Sequence, residues 1–277
     1  MARARKNTAS RPTGADGRTY HVGVRRGEVA PTIVLVGDPK RAERVAARFD
    51  RVRGEPVRNR EYVTITGERG GLPITVCATG MGCDNTEMAV VELLACVDRP
   101  DFLRIGSCGA LRPETKVGDL IVSTGALRLE ATTLGFVRPE YPAVAHHEMV
   151  LALASAAARA GVRHRVGLTA TTAGFYGWQA REGGPFAPRE PKLAEELGAL
   201  GVENFEMEAS ALFVLASLKG LRAGAVCAAF ASRPRDEFIA GEAKDAAEER
   251  AIDVGLGALD VLAEMDRARG KRPRFVL

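Results

Sequence analysis

No stretch of 18 apolar residues occurs anywhere in this chain, so no segment of it reads as a membrane-spanning helix. Cysteine is scarce as well. The five present, Cys77, Cys83, Cys96, Cys108 and Cys227, are odd in number and fall at spacings that match neither a zinc ribbon nor a CxxC redox pair. They read as reduced cytoplasmic thiols. Cys77, Cys96 and Cys227 sit in apolar surroundings and fill core, while Cys83 and Cys108 lie near glycines with no histidine close in sequence to activate them. A basic face for nucleic acid is also missing. The net charge of +4 arises in residues 1 to 18, where Arg3, Arg5, Lys6, Arg11 and Arg18 face one acid, Asp16; the rest of the chain is balanced. That segment, rich in Arg, Ser, Thr, Gly and Ala, lacks the apolar h-region of a secretory signal. It reads as a disordered basic tail, with a mitochondrial transit peptide as the less favoured alternative.

What remains is ordinary for a soluble enzyme: 277 residues, 46% hydrophobic and 27% charged, enough for one large core over residues 19 to 277. Apolar β-rich runs recur at 32–36, 62–66, 73–78, 102–106, 119–123, 166–171 and 223–230. Helical patterns lie at 39–49, 85–98, 148–160, 207–218 and 244–267. This alternation, with an early hairpin across Gly67 to Gly71, predicts a single-domain three-layer α/β/α sandwich around a central mixed sheet. No internal repeat or interior linker interrupts it. The Gly- and Pro-rich segment from Glu182 to Pro188 reads as a flexible loop of the kind that covers ligands.

Three segments carry the chemistry. Phe102-Leu103-Arg104-Ile105-Gly106-Ser107-Cys108-Gly109 ends an apolar run with an arginine, a hydroxyl and two glycines. The planar guanidinium can meet an oxyanion, and the glycines let backbone approach the same ligand. Thr32 to Val36 reads as a buried strand that breaks at Gly37-Asp38-Pro39 and enters a helix through Lys40-Arg41, with Asp38 as N-cap. Glu203-Asn204-Phe205-Glu206-Met207-Glu208 gathers three carboxylates at the mouth of an apolar helix. Taken singly, each has a plainer reading. Arg41 also suits a solvated helix, Arg60 the end of a surface strand, and Glu206 and Glu208 an acidic helix start.

Together, and in this order, the segments resemble the uridine phosphorylase and purine nucleoside phosphorylase superfamily, and most closely its uridine-specific branch. The resemblance runs from Tyr20-His21-Val22-Gly23 to Ala231-Ser232-Arg233. It implies a homo-oligomer, a hexamer built as a trimer of dimers, that binds nucleoside and phosphate and has no nucleic-acid or membrane partner. Gly37, Arg41, Arg60, Arg104 and Ser107 match phosphate-binding positions. Glu206, Met207 and Glu208 match the ribose site, which His21 completes from the neighbouring subunit. Phe175, Gln179, Arg181 and Arg233 match the uracil site, where a purine enzyme usually places an aspartate after the late strand. The implied catalytic set is Arg104, Glu208 and Arg181. No cofactor or bound metal is implied beyond phosphate as co-substrate, although a monovalent cation near Glu61 belongs to the pattern. Trp178, Ala180 and the loop from Glu182 to Pro191 depart from the pattern and leave thymidine, deoxyuridine or a broader range open. Three competing readings are a purine nucleoside phosphorylase, a nucleosidase that uses water, and a non-catalytic nucleoside-binding protein.

Overall fold

The computed structural model describes residues 7–10, 12–14 and 16–270. Its first unit forms as the local signals dictate. Strand β1 (Thr32–Val36) is buried at every position and gives way at Gly37 to helix α1 (Pro39–Ala46). Asp38 caps that helix, its side chain accepting from the Lys40 N–H at 2.9 Å, and Pro39 occupies the start, where a missing N–H costs nothing. The helix ends three residues before the expected position 49. There the chain turns, so that Asp50 donates its N–H to the Glu68 carbonyl and β2 (Arg51–Val52) pairs with β4 (Tyr62–Arg69).

β3 (Val57–Asn59), β4 and β5 (Leu72–Ala78) form an antiparallel group whose β4–β5 hairpin turns at Gly70 and Gly71, as expected. Helix α2 (Cys83–Leu94) leads to β6 (Asp101–Ala110), β7 (Leu120–Leu129), β8 (Ala143–Val144), α3 (His147–Arg159) and β9 (His164–Thr172). The chain then runs through α4 (Leu193–Ala199), β10 (Val202–Glu206), α5 (Ala209–Leu218), β11 (Ala223–Ser232), β12 (Glu237–Phe238) and α6 (Gly241–Arg269). All the strands belong to one mixed sheet, with β1 parallel to both β5 and β6. Part of it closes on itself: β11, β7, β9, β10 and β6 follow one another, and β6 also pairs with β11 from Phe102 opposite Ala223 to Ala110 opposite Ser232.

Strand alternation sends side chains into two helical layers, which is the expected sandwich. Val34 and Val36 of β1 and Leu103 and Ile105 of β6 pack on one side with α1, α3 and α6. Ile33, Leu35 and Phe102 pack on the other with Val90 and Leu93 of α2 and Leu212 and Phe213 of α5. Each such buried side chain contributes about 1.5–3 kcal/mol, so the layers hold β6 fixed from both faces.

The sequence reading did not anticipate α4 or β10. The β10 segment Val-Glu-Asn-Phe-Glu looks too polar for a central strand, yet all five positions are buried. Partners on other strands make this tolerable: Asn204 accepts from the Thr169 hydroxyl at 2.9 Å, and Glu203 pairs with Arg165 at 3.2 Å. The helix expected from 207 therefore starts at Ala209. Of the basic tail, residues 1–6, 11 and 15 lie outside the described residues, as do 271–277. Arg18 is anchored, donating to the Gly23 carbonyl at 2.8 Å and to both Glu28 oxygens at 2.7 and 2.8 Å. Among the described residues no helix is long and apolar enough to cross a membrane.

Candidate active site

A cavity of about 560 Å³ opens where β1 gives way to α1 and where β6, β10 and β11 end, with α6 along one side. Ten residues singled out from the sequence line it: Gly37, Arg41, Arg104, Ser107, Phe175, Gln179, Arg181, Glu206, Met207 and Glu208. His21, Arg60 and Arg233 do not. The structure thus brings together segments that lie as much as 171 positions apart in sequence, from Gly37 to Glu208.

Arg104 is the centre of this arrangement. Its side chain is only 6% exposed, and it reaches Glu206 through Nε at 3.0 Å and Glu208 through Nη2 at 2.5 Å. Burial opposes the guanidinium charge, but Glu208 and Glu206 outweigh it and push its pKa above the ordinary arginine value. Gly106 is what allows this geometry. A Cβ there would lie 2.8 Å from Arg104 Nη2 and 2.9 Å from Cys227 Sγ, so the glycine makes room for the guanidinium of its own strand. The sequence had suggested room for a ligand instead.

The two carboxylates differ in how they are used. Glu206 is fully buried and accepts from Arg104, the Thr171 hydroxyl at 2.5 Å, and the N–H groups of Glu208 and Ala209 at 2.8 and 2.9 Å. Those donors occupy it and tie Arg104 to the start of α5. Glu208 accepts from Arg104 and from the Gly82 N–H at 2.6 Å, and its side chain retains 6% exposure to the cavity. Helix α5 begins immediately after Glu208, so the acidic-start reading and the cavity reading both hold.

Arg41 stands opposite, buried, with its Nε against Glu248 of α6. Glu248 also accepts from Arg44 Nη1 at 2.8 Å. Glu248, Lys244 and Phe238 line the cavity too, and the sequence reading missed all three. Glu248 sits in an acidic helical run, Glu248-Glu249, that looks like any solvated face; only its meeting with Arg41 distinguishes it.

At the remaining side, Gln179 donates from Nε2 to the Thr172 hydroxyl at 3.1 Å. Arg181 lies 3.8 Å from the Phe175 ring centroid and donates from Nε to the Phe175 carbonyl at 3.1 Å. Burial, and then the nearby Arg233, hold the Arg181 pKa below the ordinary value. Arg233 stands behind this pair rather than in the cavity, donating to the Ala180 carbonyl at 2.8 Å. Ala180 itself takes a left-handed backbone, φ 51°, at the bend between Gln179 and Arg181.

His21 and Arg60 share a different surface. Arg60 forms the β3–β4 turn with Glu61, at φ 52°, and its guanidinium lies 5.0 Å over the Tyr20 ring, which meets His21 edge-on. Among the described residues no group of three or more His, Cys, Asp or Glu is arranged to hold a metal ion.

The chain is 43% identical to a uridine phosphorylase of Thermococcus kodakarensis over 96% of its own length and 95% of that protein. It is 34% identical to a guanosine phosphorylase of Halorubrum lacusprofundi over 87% of this chain and 98% of the relative. A crystal structure of a Trypanosoma brucei nucleoside phosphorylase, described as showing uridine phosphorylase activity, superposes with a TM-score of 0.83. It is 28% identical and is matched over 90% of this chain and 99% of its own. The phosphorylase superfamily profile matches residues 31–260, a span that contains every cavity residue described above. On that match and that geometry, the chain belongs to the phosphorylase superfamily.

Proposed function

We propose that the protein is a uridine phosphorylase, a pentosyltransferase that converts uridine and phosphate to uracil and ribose 1-phosphate. One observation carries this reading: Gln179 and Arg181 line the same cavity as Arg41, Arg104, Ser107 and Glu208. A side-chain amide both donates and accepts, as the uracil edge requires, and a neighbouring guanidinium favours negative charge on the departing base.

In this reading Gly37, Arg41, Arg104 and Ser107 hold hydrogen phosphate beneath C1′, with Arg60 supplied by a neighbouring copy. Glu208 accepts from the ribose hydroxyls, Met207 packs on the sugar, and Glu206 keeps Arg104 in place behind them. A phosphate oxygen bonds to C1′ as the C1′–N1 bond breaks through an oxocarbenium-like state. The bonding pair leaves with uracil, whose anion Gln179 and Arg181 stabilise over Phe175, with Arg233 holding their segment from behind. The proton of the hydrogen phosphate ends on uracil. Positioning and fixed charge do the work, each well-aimed donor contributing about 2.7–4 kcal/mol in the transition state. No organic cofactor takes part. His21 serves the ribose 5′-hydroxyl of a neighbouring copy, in a hexamer assembled as a trimer of dimers. The exposed Glu61 carboxylate, beside Arg60 at the same turn, is the place for a monovalent cation between copies. Five cysteines, none of them in a disulfide, support a cytoplasmic setting.

Release of uracil from uridine, measured with and without phosphate, tests this directly. Phosphate-dependent release supports it; release without phosphate identifies a nucleosidase, and binding without release a non-catalytic protein. The guanosine-cleaving relative favours purine activity as the second reading. Faster turnover of inosine or guanosine than of uridine would establish it.

A further inference from the structure

We infer that Glu92 is a positioning residue for His21: it fixes the imidazole tautomer so that Nε2 accepts the 5′-hydroxyl proton of a nucleoside. The inference rests on the reading of His21 given above and adds a residue and a specificity to it. Glu92 lies on α2, a helix that contributes no residue to the cavity, with its side chain 14% exposed. Its carboxylate takes the backbone N–H of His21 at 2.9 and 3.0 Å, that of Val22 at 2.7 Å, and His21 Nδ1 at 2.8 Å.

A carboxylate can only accept, so the His21 nitrogen facing it carries the proton. Nε2, across the ring, is then the acceptor in the neutral imidazole. The surrounding chain is held as firmly as the ring. Asn59 Nδ2 donates to the His21 carbonyl at 2.7 Å and the Tyr20 carbonyl at 3.1 Å. Gly23, at φ 76°, packs so closely on Asn59 that a Cβ would lie 2.9 Å from the Asn59 Cβ.

A half-exposed histidine near a chain end ordinarily samples several rotamers and both tautomers, and a ligand must then select one. Here the contacts of His21 with Glu92 and Asn59 supply that ordering. The arrangement resembles the way a second carboxylate fixes the tautomer of a working histidine elsewhere in protein chemistry. It suits a ligand group that donates a hydrogen bond, which a 5′-hydroxyl does and a 5′-methyl does not. The expected result is a preference for uridine over 5′-deoxyuridine that depends on Glu92.

The test compares uridine with 5′-deoxyuridine at saturating phosphate, using the full chain and its His21→Ala and Glu92→Gln variants. Glu92→Gln should raise KM for uridine about 3- to 10-fold, leaving kcat, KM for phosphate and 5′-deoxyuridine turnover unchanged. His21→Ala should do the same. If His21→Ala affects both nucleosides equally, the 5′-hydroxyl reading of His21 fails. Should His21→Ala discriminate while Glu92→Gln affects both nucleosides alike or neither, the role of Glu92 is refuted alone. A second measurement does not depend on any variant folding. Nitrogen-15 NMR of the histidine-labelled wild type, with the His21 resonance assigned, should show the proton on Nδ1; a proton on Nε2 of the neutral ring would overturn the inference.

Discussion

Arg104 and Glu206 stand 102 positions apart in sequence and meet at 3.0 Å between Nε and Oε2, in a site where Glu206 is fully buried. One guanidinium therefore joins β6, β10 and the start of α5, and what it presents to a ligand depends on all three. Replacing Arg104 with alanine should lower phosphate-dependent kcat about 10²- to 10³-fold. It should also cost about 3–5 kcal/mol of stability, because two carboxylates lose their counter-charge. Steady-state kinetics with urea unfolding measures both. Near-normal turnover at saturating phosphate would remove Arg104 from the mechanism.

Gly106→Ala adds one methyl group where Arg104 Nη2 and Cys227 Sγ already leave less than 3 Å. The flexible guanidinium has to move before the strand does. The expected variant is folded, with stability reduced by about 1–3 kcal/mol and kcat/KM reduced at least about tenfold. Loss of stability without loss of activity would mean that the guanidinium position is not critical.

The buried Arg41–Glu248 pair separates stability from phosphate binding. Glu248→Gln leaves Arg41 without its full counter-charge and should cost about 3 kcal/mol, with KM for phosphate altered as Arg41 shifts. The double variant Arg41→Met with Glu248→Leu should recover most of the stability, since a buried apolar pair can replace a buried ion pair. It should not recover phosphate affinity. A double variant with wild-type KM for phosphate would show that Arg41 is purely structural.

Thiol reagents should leave the native enzyme active. All five cysteines are buried thiols outside any disulfide; burial pushes the Cys77 pKa up to about 12 and moves Cys83 and Cys108 upward as well. Thiolate is thus disfavoured at these three, including Cys108, which lines the cavity, and burial shields all five from reagents. Iodoacetamide labelling followed by mass spectrometry and activity assay checks this. Rapid modification of Cys108 in the folded state would contradict it.

Local signals were the legible ones. Gly37-Asp38-Pro39 dictates a strand end and a helix start within a few residues, and both formed there. β10 was not legible, because Glu203, Asn204 and Glu206 are acceptable in a central strand only once Arg165, Thr169 and Arg104 face them. Glu248 escaped for the same reason: its role lies in a contact with Arg41, 207 positions away. The motif containing Arg60 was visible, but a motif carries no information about where its side chain ends up, and Arg60 lies over Tyr20 rather than in the cavity. Gly106 was noticed for a sound reason and assigned the wrong neighbour.

The sheet has one further consequence, for solubility. Because five strands close into a ring, the open path through the sheet terminates at β12 and β2, each two residues long. So short a border offers little unpaired backbone on which another chain could template itself. At the β2 border, Arg51 is also charge-paired with Glu68 at 3.1 Å. Copies of this protein can therefore meet through their side chains with little tendency to polymerise by strand addition.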